Sequence, residues 1–310
     1  MKQHDLLIRL WGVRGSYPVP GEKTVEFGGN TSCVEIRNRK HRLILDSGTG
    51  IIPLGEKILR EYQADRENGA EETLHLTVLL THTHHDHIQG LPFFAPAYQA
   101  YCSLYLFGPQ LLGEDLLSSI SLSMEPTFCP VRFEEMNSKK IIQNMTDTDK
   151  LILRNSGNHP TLYNIREKVD DIAPEDLTIT AFRSYAHPKD GVFVYRIAVN
   201  GKSIVYATDT EGYVGGDSRL IAFARGADVL IHDAQYLEHE YTDPANPKQG
   251  YGHSTIEMAC EVAKKAQVGK LILFHHDPSH DDDQMKKIEK IAQGYFKNSV
   301  AGKEGMEIWL

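Results

Sequence analysis

Cysteine, positive charge and long hydrophobic runs are all scarce in this 310-residue sequence. Its cysteines lie far apart and form no CxxC pair, which argues against a disulfide framework and against a thiolate zinc site. We expect buried free thiols and a reducing compartment. The cysteines are Cys33, Cys102, Cys129 and Cys260.

Lys and Arg together number 33 against 42 Asp and Glu, a net charge of −9. This balance argues against extensive nucleic-acid binding, although a local basic patch stays open. No apolar run is long enough to span a membrane, and the N-terminal residues 1–9 lack the apolar core of a signal peptide. With 41% hydrophobic and 24% charged residues, we expect an ordinary globular protein in the cytoplasm, with no membrane segment.

Histidine, by contrast, is concentrated in one place. Four of the 15 histidines lie in Thr81–His87, directly after the apolar run Leu76–Leu80. His82 and His84 are two residues apart, so in an extended chain both rings project to the same side. If the chain then turns into a helix, Asp86 and His87 move to a neighbouring position, and the segment can serve two metal ions. A polar surface loop is the alternative, and the preceding apolar strand disfavours it.

Imidazole nitrogens with a carboxylate suit zinc, iron or manganese better than calcium or magnesium. Further candidate ligands come from the ends of apolar runs, because strand ends at one edge of an α/β protein converge on one site. We expect His187, Asp209 and His275 to join the cluster. The runs that finish in His or Asp end at His82, His187, Asp209, His232 and His275.

The remaining pattern predicts alternating strands and helices. Asp46 follows the strand 42–45 and either contacts a metal-bound imidazole or caps the helix 51–62. Asn200-Gly201 favours a hairpin turn between strands 192–199 and 203–207. Residues 110–176 have the weakest periodicity, apart from a helix at 111–124. We expect them to form an insertion or cap on a single domain that spans 1–310.

His82-Thr83-His84-His85-Asp86-His87 matches the His-x-His-x-Asp-His signature, so the chain resembles the metallo-β-lactamase-fold hydrolases. Within this superfamily the chain most resembles the branch of ribonuclease Z and cyclic-nucleotide phosphodiesterases. Residues 228–235 are similar to that branch's strand ending in His-Glu-Ala-Thr, and residues 252–255 match its Gly-His-Ser-Thr helix start. The resemblance extends over nearly all of the chain except 110–176. It implies an α/β fold, the four-layer αββα metallo-β-lactamase sandwich.

The resemblance also implies two divalent metal ions, zinc first, with manganese or iron as alternatives. One metal would be held by His82, His84 and His187. The other would be held by Asp86, His87 and His275, with Asp209 between the two. We expect four residues to contact these ligands rather than the metals, namely Asp46, His232, Asp233 and His276; His276 and its neighbour His280 could equally contact the substrate or lie at the surface.

These residues lead us to expect a dinuclear metal phosphodiesterase that converts a 3′,5′-cyclic nucleotide to the 5′-nucleotide. Asp86 would orient the attacking water, and His253 would give a proton to the departing sugar oxygen. The acidic charge, the absence of a Gly/Pro and Lys rich arm, and Asp233 in place of the branch's Glu disfavour the runner-up, ribonuclease Z-like RNA processing.

A di-iron redox protein and a non-catalytic binding module are the alternatives of other classes. Relatives of this family are often dimers, which makes a homodimer a further expectation. Residues 91–101 and 110–176 are where a base could be held, and the sequence identifies no specificity residue there.

Overall fold

The structure, a computed structural model, describes residues 6–67, 69, 73–110 and 113–310. Two β-sheets face each other. The strands of the first sheet are β1 Leu7–Gly12, β2 Cys33–Arg37, β3 Arg42–Leu45, β4 Leu74–Leu79, β5 Cys102–Pro109, β6 Lys139–Met145 and β15 Glu307–Trp309. Those of the second sheet are β7 Asp149–Leu153, β8 Thr161–Asn164, β9 Leu177–Ser184, β10 Val192–Val199, β11 Lys202–Ala207, β12 Val229–Asp233, β13 Lys270–Phe274 and β14 Ser299–Ala301.

The strand order is β15-β1-β2-β3-β4-β5-β6 in the first sheet and β14-β13-β12-β11-β10-β9-β7-β8 in the second. Alternate residues of each strand point between the sheets, where Val34 and Leu43 of the first sheet join the same buried cluster as Ile179 and Tyr195 of the second. This inter-sheet core is the largest apolar unit of the described residues.

Helices cover the outer face of each sheet. The helices are α1 Ile51–Glu67, α2 His85–Ile88, α3 Leu116–Ser123, α4 Ser218–Ala224, α5 Glu238–Tyr241, α6 Ile256–Ala266 and α7 Asp282–Tyr295, and the 3₁₀ helices are Leu91–Phe93, Ala95–Tyr98 and Phe133–Glu135. Leu54 of α1 and Ile120 of α3 pack on the first sheet. Ala259 of α6 and Met285 of α7 pack on the second. The predicted four-layer αββα sandwich is therefore confirmed.

Strand direction determines where the site lies. β3 runs parallel to β4, and β11, β12 and β13 are mutually parallel, so their carboxyl ends meet at one edge of the sandwich. The two sheets are joined at this edge, because the backbone N–H of Phe193 donates to the carbonyl of Thr81 at 2.9 Å. Loops leaving both sheets are thus held against each other.

The segment 110–176 contributes to both sheets as well as to the surface. It supplies β6 at the edge of the first sheet and β7 and β8 at the edge of the second. The predicted helix 111–124 is present as Leu116–Ser123, whereas residues 111 and 112 lie outside the described part of the chain. The division into a single domain with an insertion stays a prediction.

All four cysteines are free and buried, which confirms that expectation. None of the helices in the described ranges is both long and apolar enough to cross a membrane. The apolar stretch 91–101 is largely core, since Leu91, Phe94 and Ala97 are buried against α1 and the first sheet.

Candidate metal centre

The histidine-rich segment begins where β4 ends. The backbone N–H of Thr81 donates to Asp46 Oδ1 at 2.8 Å, and the chain stays extended through His84, whose φ and ψ are −65° and 153°. Helix α2 then starts at His85. His82 and His84 therefore lie on extended backbone, and Asp86 and His87 lie on the helical turn, which is the change of direction that the spacing predicts.

Four donor atoms from three loops form a compact set, which we call the carboxylate site: Asp86 Oδ2, His87 Nε2, Asp209 Oδ2 and His275 Nε2. His275 Nε2 lies 3.0 Å from Asp86 Oδ2 and 3.3 Å from Asp209 Oδ2. His87 Nε2 lies 3.4 Å from Asp86 Oδ2 and 3.1 Å from Asp209 Oδ2. Ligand atoms about 2.0–2.1 Å from a tetrahedral zinc ion lie about 3.3–3.4 Å apart, so these spacings suit such an ion.

A second set, the histidine site, consists of His82, His84 and His187. Nδ1 of His84 lies 3.0 Å from Nε2 of His187. The other carboxylate oxygen of Asp209, Oδ1, lies 3.8 Å from Nε2 of both His82 and His187. Asp209 therefore directs one oxygen to each site.

Four imidazoles direct Nε2 into the two sites, and the Nδ1 atom of each lies within hydrogen-bonding distance of an oxygen atom. Asp46 Oδ2 accepts from His87 at 2.8 Å, and the carbonyl of Gly252 accepts from His187 at 3.1 Å. Gln235 Oε1 accepts from His275 at 3.0 Å. The equivalent contact of His82 is Thr81 Oγ1 at 3.1 Å. Such partners fix the tautomer and orient the Nε2 lone pair toward a metal.

Charge and burial act in opposite directions on these groups. Burial lowers the pKa of His82 well below its usual value and lowers the pKa of His187 to about 4. For His275, burial is outweighed by Asp209 and by the bond to Asp86, and the pKa rises to about 9. His275 and His87 in turn hold the pKa of Asp209 well below its usual range despite burial. The histidine site thus holds neutral imidazoles, the form that binds metals.

Residues that follow directly on strands adopt strained backbone conformations. The φ angles of Asp46, Asp209 and His275 are 59°, 53° and 59°, values that are uncommon for residues other than glycine. The strain is maintained because all three side chains are buried and bonded in the cluster. Strained backbone of this kind concentrates at functional sites.

Two further observations test whether these residues fit metal ions. Nε2 of His82 is buried and makes no hydrogen bond within the described part of the chain, which is costly unless another partner binds it. Two glycines leave room for the rings: a Cβ at Gly15 would lie 2.4 Å from His275 Nδ1, and a Cβ at Gly252 would lie 2.2 Å from His187 Nδ1. The donor set is therefore compatible with a dinuclear divalent metal site.

His253 lies beside both sites at the start of the loop into α6. Its Nδ1 donates to Asp233 Oδ2 at 2.8 Å, and its ring stacks on His275 with a centroid distance of 4.9 Å. Asp233 also accepts from the backbone N–H of Asp209 at 3.1 Å. Asp233 therefore links His253 to the Asp209 backbone.

Two predicted contact residues are not brought to the cluster. His232 precedes Asp233 on β12, so its side chain lies on the opposite face, where Nδ1 meets only the carbonyl of Asp233 at 2.7 Å. His276 turns away from His275, and its Nε2 donates to the carbonyl of Gly302 at 2.9 Å. His280, which is also buried, contacts Glu240 instead. Alternation along the extended strand β12 explains the orientation of His232.

Asp46 contacts an imidazole of the cluster rather than the start of α1. Its carboxylate accepts from His87, from Thr81 and from the Tyr206 hydroxyl, the last at 2.9 Å. It does not cap α1, which begins at Ile51.

Sequence reasoning missed several residues that position the cluster. Gln235 and the carbonyl of Gly252 hold two of the imidazoles, and the backbone N–H of Ser16 donates to Asp86 Oδ2 at 2.8 Å. Gln235 and Gly252 were inside segments that carry the family resemblance, which is the signal that could have identified them. Ser16 lies in the Gly and Pro rich loop 12–21, which also fits the family resemblance, but the sequence of this loop predicts no contact with Asp86.

Comparison with known proteins shows the family of this chain. The beta-lactamase superfamily domain matches residues 41–276. The chain therefore belongs to the metallo-β-lactamase superfamily, and its predicted placement in the branch of ribonuclease Z and cyclic-nucleotide phosphodiesterases is confirmed.

Among individual proteins, the ribonuclease Z of Shouchella clausii (strain KSM-K16) is 32% identical over 224 residues, which cover 64% of this chain and 68% of that protein. The metallo-beta-lactamase fold protein YhfI from Bacillus subtilis has a TM-score of 0.64 at 20% identity and covers 99% of this chain and 100% of its own. Unliganded yeast PDE1 has a TM-score of 0.63 at 13% identity and covers 99% of this chain and 100% of its own. At these identities the two structures support the fold alone.

Proposed function

We propose that this protein is a dinuclear metal-dependent phosphodiesterase that hydrolyses a small phosphodiester, a 3′,5′-cyclic nucleotide in particular. The observation that carries the proposal is the division of Asp209, whose Oδ1 faces the histidine site and whose Oδ2 faces the carboxylate site. A shared carboxylate between two donor sets suits a pair of divalent ions. Such pairs serve in-line displacement at phosphorus.

In this proposal His82, His84 and His187 hold one metal ion. Asp86, His87 and His275 hold the other, with Asp209 as the common ligand. The near-tetrahedral spacing of the carboxylate site and the mixed imidazole and carboxylate donors favour zinc, with manganese and iron as alternatives. When bound, the ions supply an activated water and neutralise charge on the phosphate.

The chain's own residues supply orientation and a proton. Asp86 receives the Ser16 N–H at 2.8 Å on the oxygen that also faces His275, so its carboxylate is held in one orientation toward the attacking water. His253 is fixed through Nδ1 by Asp233, which leaves Nε2 as the atom that donates a proton to the departing oxygen. General-acid catalysis of this kind contributes about 10²–10⁴ in rate.

RNA 3′ processing is the second candidate, because the Shouchella clausii relative is named ribonuclease Z. The net charge of −9 favours a small substrate, since a bound RNA has many phosphates to neutralise. The buried free cysteines support a cytoplasmic location. A homodimer is part of the proposal by analogy with the family.

A substrate panel tests the proposal. The full chain is loaded with zinc or manganese, its metal content is measured, and it is given cyclic AMP, cyclic GMP, bis(p-nitrophenyl) phosphate and a transfer-RNA precursor. We expect 5′-nucleotide from a cyclic nucleotide. Cleavage of the precursor at low enzyme concentration with the cyclic nucleotides untouched would establish the second candidate instead.

The site assignment is tested separately with Asp86→Ala. We expect hydrolysis to be abolished while the circular dichroism spectrum is retained, because this change removes a ligand and the carboxylate that orients the water. Asp283→Ala, which removes a carboxylate on the exposed side of α7, is the matched control and should keep full activity. Full activity in Asp86→Ala would refute the assignment.

A further inference from the structure

A cleft of about 440 Å³ opens beside the segment 83–88, which also carries the proposed ligands His84, Asp86 and His87. Thr83, His85 and Ile88 form one wall, and Glu114, Leu122 and Phe128 belong to the opposite wall, around α3. We call it the α3 cleft. Thr83 and His85 alternate in sequence with the ligand candidates His84 and Asp86, so this wall and the metal centre are parts of one short segment. A group attached to a phosphate at the metals can therefore enter the cleft.

The opposite wall presents apolar side chains that the fold does not bury. Phe128 is 76% exposed and Leu122 is 57% exposed, although large apolar residues are usually buried. Exposed apolar groups beside a cavity mark binding surfaces rather than core. An exposed aromatic ring at such a position offers a face on which a nucleobase can stack.

One charged group in the cleft is available to a ligand. The Glu114 side chain is exposed, and its carboxylate makes no hydrogen bond or ion pair with another side chain or backbone group in the described ranges. The hydroxyls of Ser119 and Ser123, on the same wall, already donate to backbone carbonyls of their own segment, so their free lone pairs are acceptors. This side of the cleft is therefore suited to a base edge that carries N–H donors.

A second cleft, of about 510 Å³, adjoins the metal centre at His187 and contains Tyr185 and Glu211. The Glu211 carboxylate in this cleft is already hydrogen-bonded within the protein: it accepts from the backbone N–H of Gly250 at 2.7 Å and from that of Gly252 at 2.9 Å. These bonds fix the loop that carries His253, the proposed proton donor. In a 3′,5′-cyclic nucleotide the departing O3′ and the O5′ that stays on phosphorus belong to one nucleoside, so its single base occupies one cleft. The α3 cleft is the better candidate, because the Glu211 carboxylate of the second cleft is already bonded to backbone N–H groups.

From these observations we propose that the α3 cleft binds the guanine base of a nucleotide substrate. The base stacks on Phe128, and the Glu114 carboxylate accepts from guanine N1–H and N2–H. Adenine presents an acceptor, N1, beside its amino group, so it pairs less well with a carboxylate. This proposal rests on the proposed phosphodiesterase function and adds the residues that select the substrate.

Three esters with one leaving group test the proposal on the metal-loaded full chain: guanosine 5′-(p-nitrophenyl phosphate), its adenosine counterpart and methyl p-nitrophenyl phosphate. They differ only in the group that stays on phosphorus. We expect the guanosine ester to have the lowest KM. Phe128→Ala should raise that KM about 5- to 150-fold, the range for loss of one stacked base, and leave the methyl ester unchanged. Glu114→Gln should remove the preference for guanosine over adenosine.

Tyr295→Ala is the matched control, because Tyr295 is also an exposed aromatic residue but lies on α7 and does not line the cleft; it should change none of these values. Equal KM values for the guanosine and methyl esters in the wild type would overturn the proposal. Equal losses on both esters in Phe128→Ala, together with dissociation of a dimer in light scattering, would overturn it too, because the patch would then be a subunit contact.

Calorimetry with guanosine 5′-monophosphate gives a readout that does not depend on hydrolysis. We expect the wild type to bind the nucleotide and Phe128→Ala to bind it at least fivefold more weakly. If neither these esters nor the cyclic nucleotides are hydrolysed, the proposed function fails, and the difference in calorimetric affinity still tests whether the α3 cleft binds the base. Equal binding by both proteins would overturn the cleft proposal while the hydrolysis results stand.

Discussion

The buried carboxylate of Asp46 accepts a hydrogen bond from Nδ1 of His87 at 2.8 Å. The two residues are far apart in sequence: Asp46 directly follows β3, whereas His87 lies on α2, in the segment that leaves the neighbouring parallel strand β4. Every other described partner of this carboxylate is also a donor: the Thr81 N–H and hydroxyl and the Tyr206 hydroxyl. Asp46 therefore holds the Nε2 lone pair of His87 toward the carboxylate site.

The first prediction concerns this contact. Asp46→Asn has the same shape, but its amide NH₂ must face one of the donors around it. We expect zinc affinity to fall about 10- to 100-fold, as for other residues that orient a metal ligand, measured by competition with a chromophoric chelator. Asp228→Asn, which alters a carboxylate paired with Lys202, is the control. Unchanged affinity in Asp46→Asn would show that the contact does not orient His87.

The second prediction uses two glycines with similar backbone. Gly250 and Gly252 have φ angles of 83° and 91°, but a Cβ at Gly250 meets no atom within 4 Å, whereas one at Gly252 meets His187. Both alanine variants carry the strain of a positive φ. We expect only Gly252→Ala to lose the ion of the histidine site, as measured by metal content per chain. Equal metal content in the two variants would contradict the proposed ligand role of His187.

The third prediction separates proton donation by His253 from a structural role. Cyclic nucleotides have a poor leaving group that needs a proton, whereas p-nitrophenolate leaves without one. We expect His253→Ala to lower kcat about 10²- to 10⁴-fold on a cyclic nucleotide and far less on bis(p-nitrophenyl) phosphate. His239→Ala, on the exposed side of α5, should affect neither substrate. Equal losses on both substrates would exclude the proton-donor role.

The fourth prediction is that metal removal destabilises the fold. A ligand present at about 100 times its Kd stabilises the folded state by about 2.7 kcal/mol. With an unfolding entropy of about 2.1 cal/mol/K per residue, a 310-residue chain changes its Tm by about 1.5 °C for each kcal/mol. We therefore expect a chelator to lower Tm by about 4 °C for each ion removed and added zinc to restore it. The same chelator saturated with zinc is the control. An unchanged Tm after proven metal removal would argue against a site built from these buried groups.

Local sequence spacing determined the centre of the site. The change from extended chain to helix at His85 follows from seven consecutive residues, and so do the orientations of His82, His84, Asp86 and His87. The apolar runs before His187, Asp209 and His275 predicted strands whose ends converge, because strand direction within a layered sandwich is limited to few arrangements. The four-layer fold followed from the same pattern together with the family signature.

Only the tertiary structure decided which neighbours orient these ligands. Residues 229–233 are buried on both faces of β12, so periodicity could not distinguish His232, which faces away from the site, from Asp233, which faces it. The contact between Gln235 and His275 joins two loops that the sequence separates widely. Hydrogen bonds of this kind depend on the packing of both sheets, whereas the spacing of His82 to His87 depends on the local backbone alone.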